Sequence, residues 1–401
     1  MSKKPEIPTA SAWEAGPIIR WLIEEARFSC DLDELVDVLG NRLLAAGAPI
    51  WRLRLSTRTL HPLITAVTSV WEKDRATVQR IESPHGFEGS AGHKGSPLEI
   101  IATSRSPFRK RLIDGLSTTD HNVLHELNAR GATDYFGLPM RLTDGVSPIL
   151  VLVTDAPDGF SDRDIEGFAE IAAFLAPIVE VFRLRSVSLA VAEAYLGRRT
   201  GRRVLEGQIT RGHVENINAA ILVSDIRDWT GLNDRLPAEM AVEVANGCFD
   251  VLADAVEANA GEILKFLGDG LLAIFPTGDD DHSAGAVCEN ALAAARTALG
   301  AVEQSDARVG GRFGIGLNFG EVLYGNIGSS TRLDFTVMGQ AVNIAARIEG
   351  LCDATGRPLL FSQQFADRLP EPATPITEVL LKGQKSKSTI FTATEFADTK
   401  N

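Results

Sequence analysis

The stretch ILKFLGDGLLAIFP, Ile263–Pro276, decides how this chain is read. Apolar residues alternate on both sides of Gly268-Asp269-Gly270, the pattern of two short strands joined by a tight turn. One lysine, Lys265, interrupts the first strand, and one carboxylate, Asp269, sits at the tip. Four extended residues span about 13 Å, too far for these charges to pair along the strand. Each needs its own explanation.

The flanks supply the rest of a fold. INAAILVSDI (Ile217–Ile226) is a β run, and Pro237–Ala258 and Ser283–Val302 have helical spacing. Arg312–Asn318 and Val322–Asn326 read as two further strands, joined at Phe319-Gly320-Glu321. The order strand-helix-strand-strand-helix-strand is the ferredoxin-like, split βαβ arrangement. Its first and third strands lie side by side, so Asp225, ending the first, can meet Asp269. Two carboxylates at adjoining strand ends suit Mg²⁺, which takes carboxylates together with phosphate oxygens and waters. The plainer reading is that Asp225 caps a turn and Asp269 fills one. In GQAVNIAARIEG (Gly339–Gly350), Asn343 and Arg347 are four apart and share a helical face. That face suits a ribose and a polyphosphate, or is simply an exposed polar face.

The 401 residues allow two domains or more. With 44% apolar and 23% charged residues the composition is that of a globular protein. A net charge of −13 argues against a general nucleic-acid binder. No window of about 18 residues is free of charge, so no membrane span is expected. The N-terminal MSKKPEIPTASAWEAG has no apolar core of a signal peptide. Cys30, Cys248, Cys288 and Cys352 form no CxxC pair and fit packed thiols in a reducing cytoplasm.

Toward the N-terminus, residues 1–16 read as a flexible tail and Pro17–Ala46 as helical. Ile50–Ser56, Tyr135–Arg141 and Pro148–Thr154 read as strands, and Glu72–Pro107 as loops with one short strand. FSDRDIEGFAEIAAFL (Phe160–Leu175) opens a helix, with Ser161 and Asp164 forming a capping box. Ile171, Leu175, Ile178, Phe182, Leu189, Ala192 and Leu196 continue at steps of three, four or seven. They fit either a short parallel coiled coil or one amphipathic helix on its own domain, and Pro177 would kink a long helix. The basic stretch Leu196–Gly212 reads as a hinge. HNVLH sets His121 and His125 at helical spacing, either a metal or haem site or two exposed side chains. Trp51, Trp71 and Tyr135 line a pocket or fill a core.

Two resemblances follow from these segments. The N-terminal layout, with its closing helix after DGFSDRD, resembles a GAF-type sensor domain over residues 17–180, with a helical linker or hinge at 181–212. No ligand motif carries over, so its small-molecule or protein signal stays unknown. ILVSDIRDWTGL, GEILKFLGDGLLAIFP, GIGLNFGEVLYGNIGSSTRLDFTVMGQAVNIAARIE and VLLKGQKS, in that order, resemble the catalytic domain of class III nucleotidyl cyclases over residues 213–398. The implied fold class is α/β (α+β), with a ferredoxin-like βαββαβ catalytic domain behind a GAF-like α/β domain.

The cyclase resemblance implies roles. Asp225 and Asp269 match the metal-binding aspartates, for two Mg²⁺ or Mn²⁺. The backbone just after Asp225, around Ile226 and the DWT turn, matches the segment touching the triphosphate. Lys265 matches the purine-reading lysine. Thr336 falls at the second purine-reading position, commonly Asp, but Thr or Ser in one bacterial subgroup. Asn343 matches the ribose-orienting residue, and Arg347 the arginine that stabilises the α-phosphate. Lys382 matches a phosphate-binding lysine, with Lys385 and Lys387 as neighbours in contention. An ammonium donates to adenine N1 and a hydroxyl can accept from its amino group, which favours ATP over GTP. The implied reaction is in-line attack of the ribose 3′-oxygen on the α-phosphorus, giving cyclic AMP and pyrophosphate. A guanylate cyclase and a non-catalytic nucleotide-binding module are the alternatives. The implied assembly is a cytoplasmic head-to-tail homodimer with both active sites at the subunit interface.

Overall fold

A computed structural model describes residues 13–29, 31–90, 92–278, 283–304, 311–382 and 386–398. The chain divides into two compact units, 1–194 and 195–401.

The first unit is built on an antiparallel sheet: β1 (Arg52–Arg58), β2 (Ile64–Glu72), β3 (Gln79–Pro84), β4 (Phe108–Arg111), β5 (Asp134–Pro139) and β6 (Ile149–Thr154). Their order is β3-β2-β1-β6-β5-β4. Alternation along β1 separates the faces. Leu53 and Leu55 join the core formed with helices Ala15–Glu24, Leu32–Ala45 and Asp162–Leu196. Arg52 and Arg54 point to the other face, under helices Pro97–Ser104 and Asn122–Ala129. Pro97–Ser104 lies where loops were expected, with Ser96 accepting from Glu99 N–H at 3.2 Å and proline in the first turn.

One expectation is corrected here, and an open choice is decided. The tail does not extend to residue 16: Trp13 is buried, stacks on Phe168 and donates to Asp164 Oδ1 at 2.6 Å. Pro177 lies inside a helix that runs unbroken from Asp162 to Leu196. The proline lies on the exposed side, where water can satisfy the carbonyl its missing N–H leaves free. Ile171, Leu175, Ile178 and Phe182 are buried in the unit's own core, so they are not a free coiled-coil seam. A different stripe on the same helix is exposed: Phe174, Val181, Leu184, Val191 and Tyr195. The capping box forms as read, with Asp164 N–H to Ser161 Oγ at 3.2 Å and Ser161 N–H to Asp164 Oδ2 at 2.8 Å. Trp71 fills the core against Gly40, where a Cβ would lie 2.4 Å from its ring.

The second unit holds β7 (Val214–Ile226), β8 (Glu262–Leu267), β9 (Gly270–Pro276), β10 (Phe313–Gly328), β11 (Leu333–Met338), β12 (Leu359–Ser362), β13 (Ala373–Val379) and β14 (Ser388–Ala393). The sheet order is β13-β14-β12-β10-β7-β9-β8, with β11 on β10. With helices Ala238–Ala258 and Ala284–Gln304, the strands β7 to β10 make the expected βαββαβ unit. Both helices pack on one face through Cys248, Leu252, Ala291 and Ala295. Helix Gln340–Glu349 and β11 cover part of the other through Ala341, Ala345 and Phe335.

The break expected at Phe319-Gly320-Glu321 is absent, because β10 pairs with β7 continuously from Phe313 to Gly325. Gly320 has another purpose. Gly314, Gly316, Asn318 and Gly320 alternate on the face that meets helix Gln340–Glu349. A Cβ on Gly320 would lie 2.8 Å from Ala341 Cβ, and one on Gly316 2.4 Å from Glu349 N. Asn318 Nδ2 donates to Ala341 O at 2.8 Å. The glycines clear a channel in which the helix sits against the strand backbone.

Within Leu196–Gly212, Arg198–Leu205 is a helix, and Thr200 is buried. Thr200 Oγ1 and Tyr324 Oη both donate to Glu262, each at 2.8 Å. This part of the expected hinge is anchored to the start of β8.

Candidate active site

The opening hairpin is a two-residue turn: Leu267 pairs with Gly270, and Gly268 takes a φ of +69° that glycine tolerates. Asp269 follows it. On the adjoining strand Asp225 pairs with Gly270, and Ile226 N–H donates to Asp269 O at 3.1 Å. The two aspartates therefore share one sheet end. Burial pushes the Asp225 carboxyl above its ordinary value, and the negative charge of Asp269 adds to the shift. A divalent cation would relieve both penalties, so the pair fits a hard-metal site. Among the described residues no cluster of three or more His, Cys, Asp or Glu completes such a site, so phosphate oxygens and water would supply the remaining ligands.

Ile226 follows Asp225 at the end of β7. Its N–H is taken by Asp269, and its side chain lies in the core. Arg227 N–H is also used, by Arg312 O at 2.7 Å. Beyond them Asp228, at φ +53°, opens helix Trp229–Arg235.

Lys265 follows a bulge in β8 and makes an ion pair with Asp334 on β11, Nζ to Oδ2 at 3.7 Å. Thr336, two residues further along β11, is buried, and its hydroxyl has no hydrogen-bond partner. β11 packs against β8, which sets Lys265, Asp334 and Thr336 in one neighbourhood. Asn343 is exposed and Arg347 half-buried on helix Gln340–Glu349. Among the described residues neither pairs with Asp225 or Asp269. Lys382 is exposed in a turn beside buried Leu381, Lys387 is exposed, and Lys385 lies outside the described residues.

Sequence reasoning missed a network beside Asp225. Arg227 crosses Gly314, where a Cβ would lie 1.4 Å from Nη2, and reaches Glu349 Oε1 at 2.6 Å. It also meets Asp353 Oδ2 at 3.1 Å. Burial pushes Glu349 up to about 7, against the pull of Arg227 and with a push from Asp225. A cleft of about 480 Å³ opens here, lined by Arg227, Asp228, Arg235, Arg312 and Asp353. The alternating glycines leave room for Arg227 beside Asp225, but the sequence alone does not name that partner. The histidines expected as a possible metal pair part ways: His121 Nδ1 accepts from Val123 N–H at 3.2 Å, and His125 Nε2 contacts Ser117 O at 3.1 Å.

Residues 213–392 match the family model of the adenylate and guanylate cyclase catalytic domain. The class III cyclase resemblance of this region thus has independent support, on a mixed α/β unit.

Among curated proteins, "Adenylate cyclase 1" of Rhizobium meliloti is 30% identical over 281 residues, 67% of this chain and 42% of that protein. "Adenylate cyclase" of Anabaena cylindrica is 28% identical over 178 residues, 42% of this chain and 34% of that protein. The chain thus spans less than half the length of these relatives. Among solved structures, a bacterial light-regulated adenylyl cyclase covers 65% of this chain and 86% of its own, at 21% identity and a TM-score of 0.48. Among the described residues, no helix is long and apolar enough to cross a membrane.

Proposed function

We propose that this chain is an adenylate cyclase, forming 3′,5′-cyclic AMP and pyrophosphate from ATP. The observation that carries the reading is the meeting of Asp225 and Asp269 at one sheet end, inside the segment matched by the cyclase family model. When bound at these aspartates, Mg²⁺ or Mn²⁺ would neutralise the triphosphate and acidify the attacking 3′-hydroxyl. Asn343 orients the ribose, so that its 3′-oxygen lies in line with the α-phosphorus. Arg347 takes up the charge that builds on the α-phosphate as the new P–O bond forms and the bond to pyrophosphate breaks. The hydroxyl proton goes to solvent. Lys382 holds the outgoing phosphates, and the backbone from Ile226 through the turn at Asp228–Thr230 meets the triphosphate.

Adenine is read by Lys265 and Thr336. The unpartnered Thr336 hydroxyl supports this, since a buried hydroxyl without a partner is costly and adenine's amino group would satisfy it. One observation favours guanine instead: Asp334 sits beside Lys265 and could accept from guanine N1–H. Product analysis of the purified chain with Mg-ATP, Mn-ATP or the GTP equivalents decides between them. The reading expects cyclic AMP, lost in Asp225→Ala. No cyclic nucleotide with either metal would overturn it.

The assembly is a homodimer in which the aspartates of one copy face Lys265, Thr336, Asn343 and Arg347 of the other. The exposed position of Asn343 and the absence of an ion-pair partner for Arg347 among the described residues support it. So does the apolar stripe on helix Asp162–Leu196, whose steps of seven, three, seven and four are those of a parallel coiled coil. The N-terminal unit is a GAF-like regulatory domain, supported by its order of helices and strands. Cys248, Cys288 and Cys352 are free and buried, which supports a cytoplasmic location; Cys30 lies outside the described residues.

A further inference from the structure

The second face of the N-terminal sheet encloses a cavity of about 90 Å³. Its floor is set by strand register: Arg54 lies opposite Val151 and Arg52 opposite Val153, with Tyr135 next in the second row. His93 and His121 also line it. Among the described residues the lining contains no aspartate or glutamate.

The two arginines differ. Arg52 is 3.5 Å from Glu72, a carboxylate that also pairs with Arg75 and Arg130, both at 2.8 Å. Arg54 has no carboxylate partner among the described residues, and Nε donates only to Ser56 Oγ at 3.1 Å. Burial pulls its pKa down, Tyr135 pulls it the other way, and the neighbouring charge of Arg52 adds a smaller downward push. The Tyr135 hydroxyl makes no hydrogen bond to the described residues and is pushed up by burial. A desolvated guanidinium without a counter-charge is costly, and an anion in the cavity would supply the charge.

We propose that this cavity binds a small organic monocarboxylate, held by Arg54 and the Tyr135 hydroxyl. Size and walls select that class. A cavity of roughly 150 Å³ holds benzene, so this one takes a ligand of no more than about six heavy atoms. Leu98, Val123, Leu127, Val151 and Val153 offer apolar walls that suit a short alkyl chain. Arginine pairs with carboxylate through two parallel N–H bonds.

The test is calorimetry on the full chain in a buffer free of carboxylate and phosphate. The probes are acetate, propionate, butyrate and pyruvate, with butyramide and inorganic phosphate beside them. Binding of at least one acid is expected, with none of butyramide. Arg54→Gln should weaken it by tenfold or more, on the scale of a lost charge-assisted bond. Tyr135→Phe, which keeps the ring and its packing, should weaken it by about threefold. The inference is overturned if no acid binds, if phosphate binds in preference, or if the folded Arg54→Gln chain binds as the unaltered one does. Calorimetry reads binding alone, so this outcome is independent of whether the chain makes cyclic AMP.

Discussion

At the residue scale, Lys265 has two partners to choose between. In the single chain it leans on Asp334 at 3.7 Å, with both side chains partly in water, so the pair contributes little stability. A purine can displace that contact cheaply. If adenine is the base, Asp334→Asn leaves cyclic AMP formation within about threefold of the unaltered chain, and Lys265→Glu lowers kcat/KM for ATP by about a hundredfold or more. If guanine is the base, Asp334→Asn removes activity with GTP. Competition of the two nucleotides in one assay reads both outcomes.

Glu349 carries a pH prediction. Its folded value is about 7 against an ordinary 4.5, so the folded chain binds its proton more tightly than the unfolded chain. The stability this brings is complete below about pH 4.5 and is lost as pH rises through 7, up to about 3 kcal/mol. Glu349→Gln should flatten the fall in Tm between pH 5 and 8, as thermal unfolding would show. An unchanged slope contradicts the assignment. The pairing with Arg227 was not legible beforehand. The two residues are 122 apart in sequence, and an arginine in DIRDWT reads as an ordinary surface residue. The meeting of Asp225 with Asp269 was legible, because apolar alternation defined the strands and the split-βαβ order made the first and third neighbours.

At the element scale, the relation between β10 and helix Gln340–Glu349 places Asn343 and Arg347. The glycines of GIGLNFG looked like a joint between two strands because glycine commonly marks a turn. They instead occupy alternate positions under the helix, a meaning visible only when the partner is known. Gly320→Val puts a branched side chain where Ala341 already lies at 2.8 Å from an ideal Cβ. We expect a loss of about 1–3 kcal/mol by urea unfolding and a fall in kcat larger than any change in KM. Equal stability and activity would show that the close approach is unimportant. The closing helix of the first unit teaches a related lesson. Of the two readings of its apolar pattern, the amphipathic helix on its own domain holds over Ile171–Phe182, leaving Phe174, Val181 and Leu184 exposed. Period alone does not tell which of two apolar stripes a neighbour has taken.

At the scale of the whole molecule, the central claim is that each active site is shared between two copies. On the proposed reading, Asp225→Ala removes a metal-holding carboxylate, and Arg347→Ala removes the charge opposite the α-phosphate. Each homodimer should lose a hundredfold or more in kcat. Their defects fall on opposite sides of the interface, so a heterodimer of the two carries one doubly damaged site and one intact site. The direct measurement is cyclic AMP production after mixing the two purified inactive chains under conditions that exchange subunits, with heterodimers counted by native mass spectrometry. The shared-site account predicts recovery toward about a quarter of normal activity, since half the dimers are mixed and each holds one working site of two. No recovery, with heterodimers present in the expected amount, would contradict it.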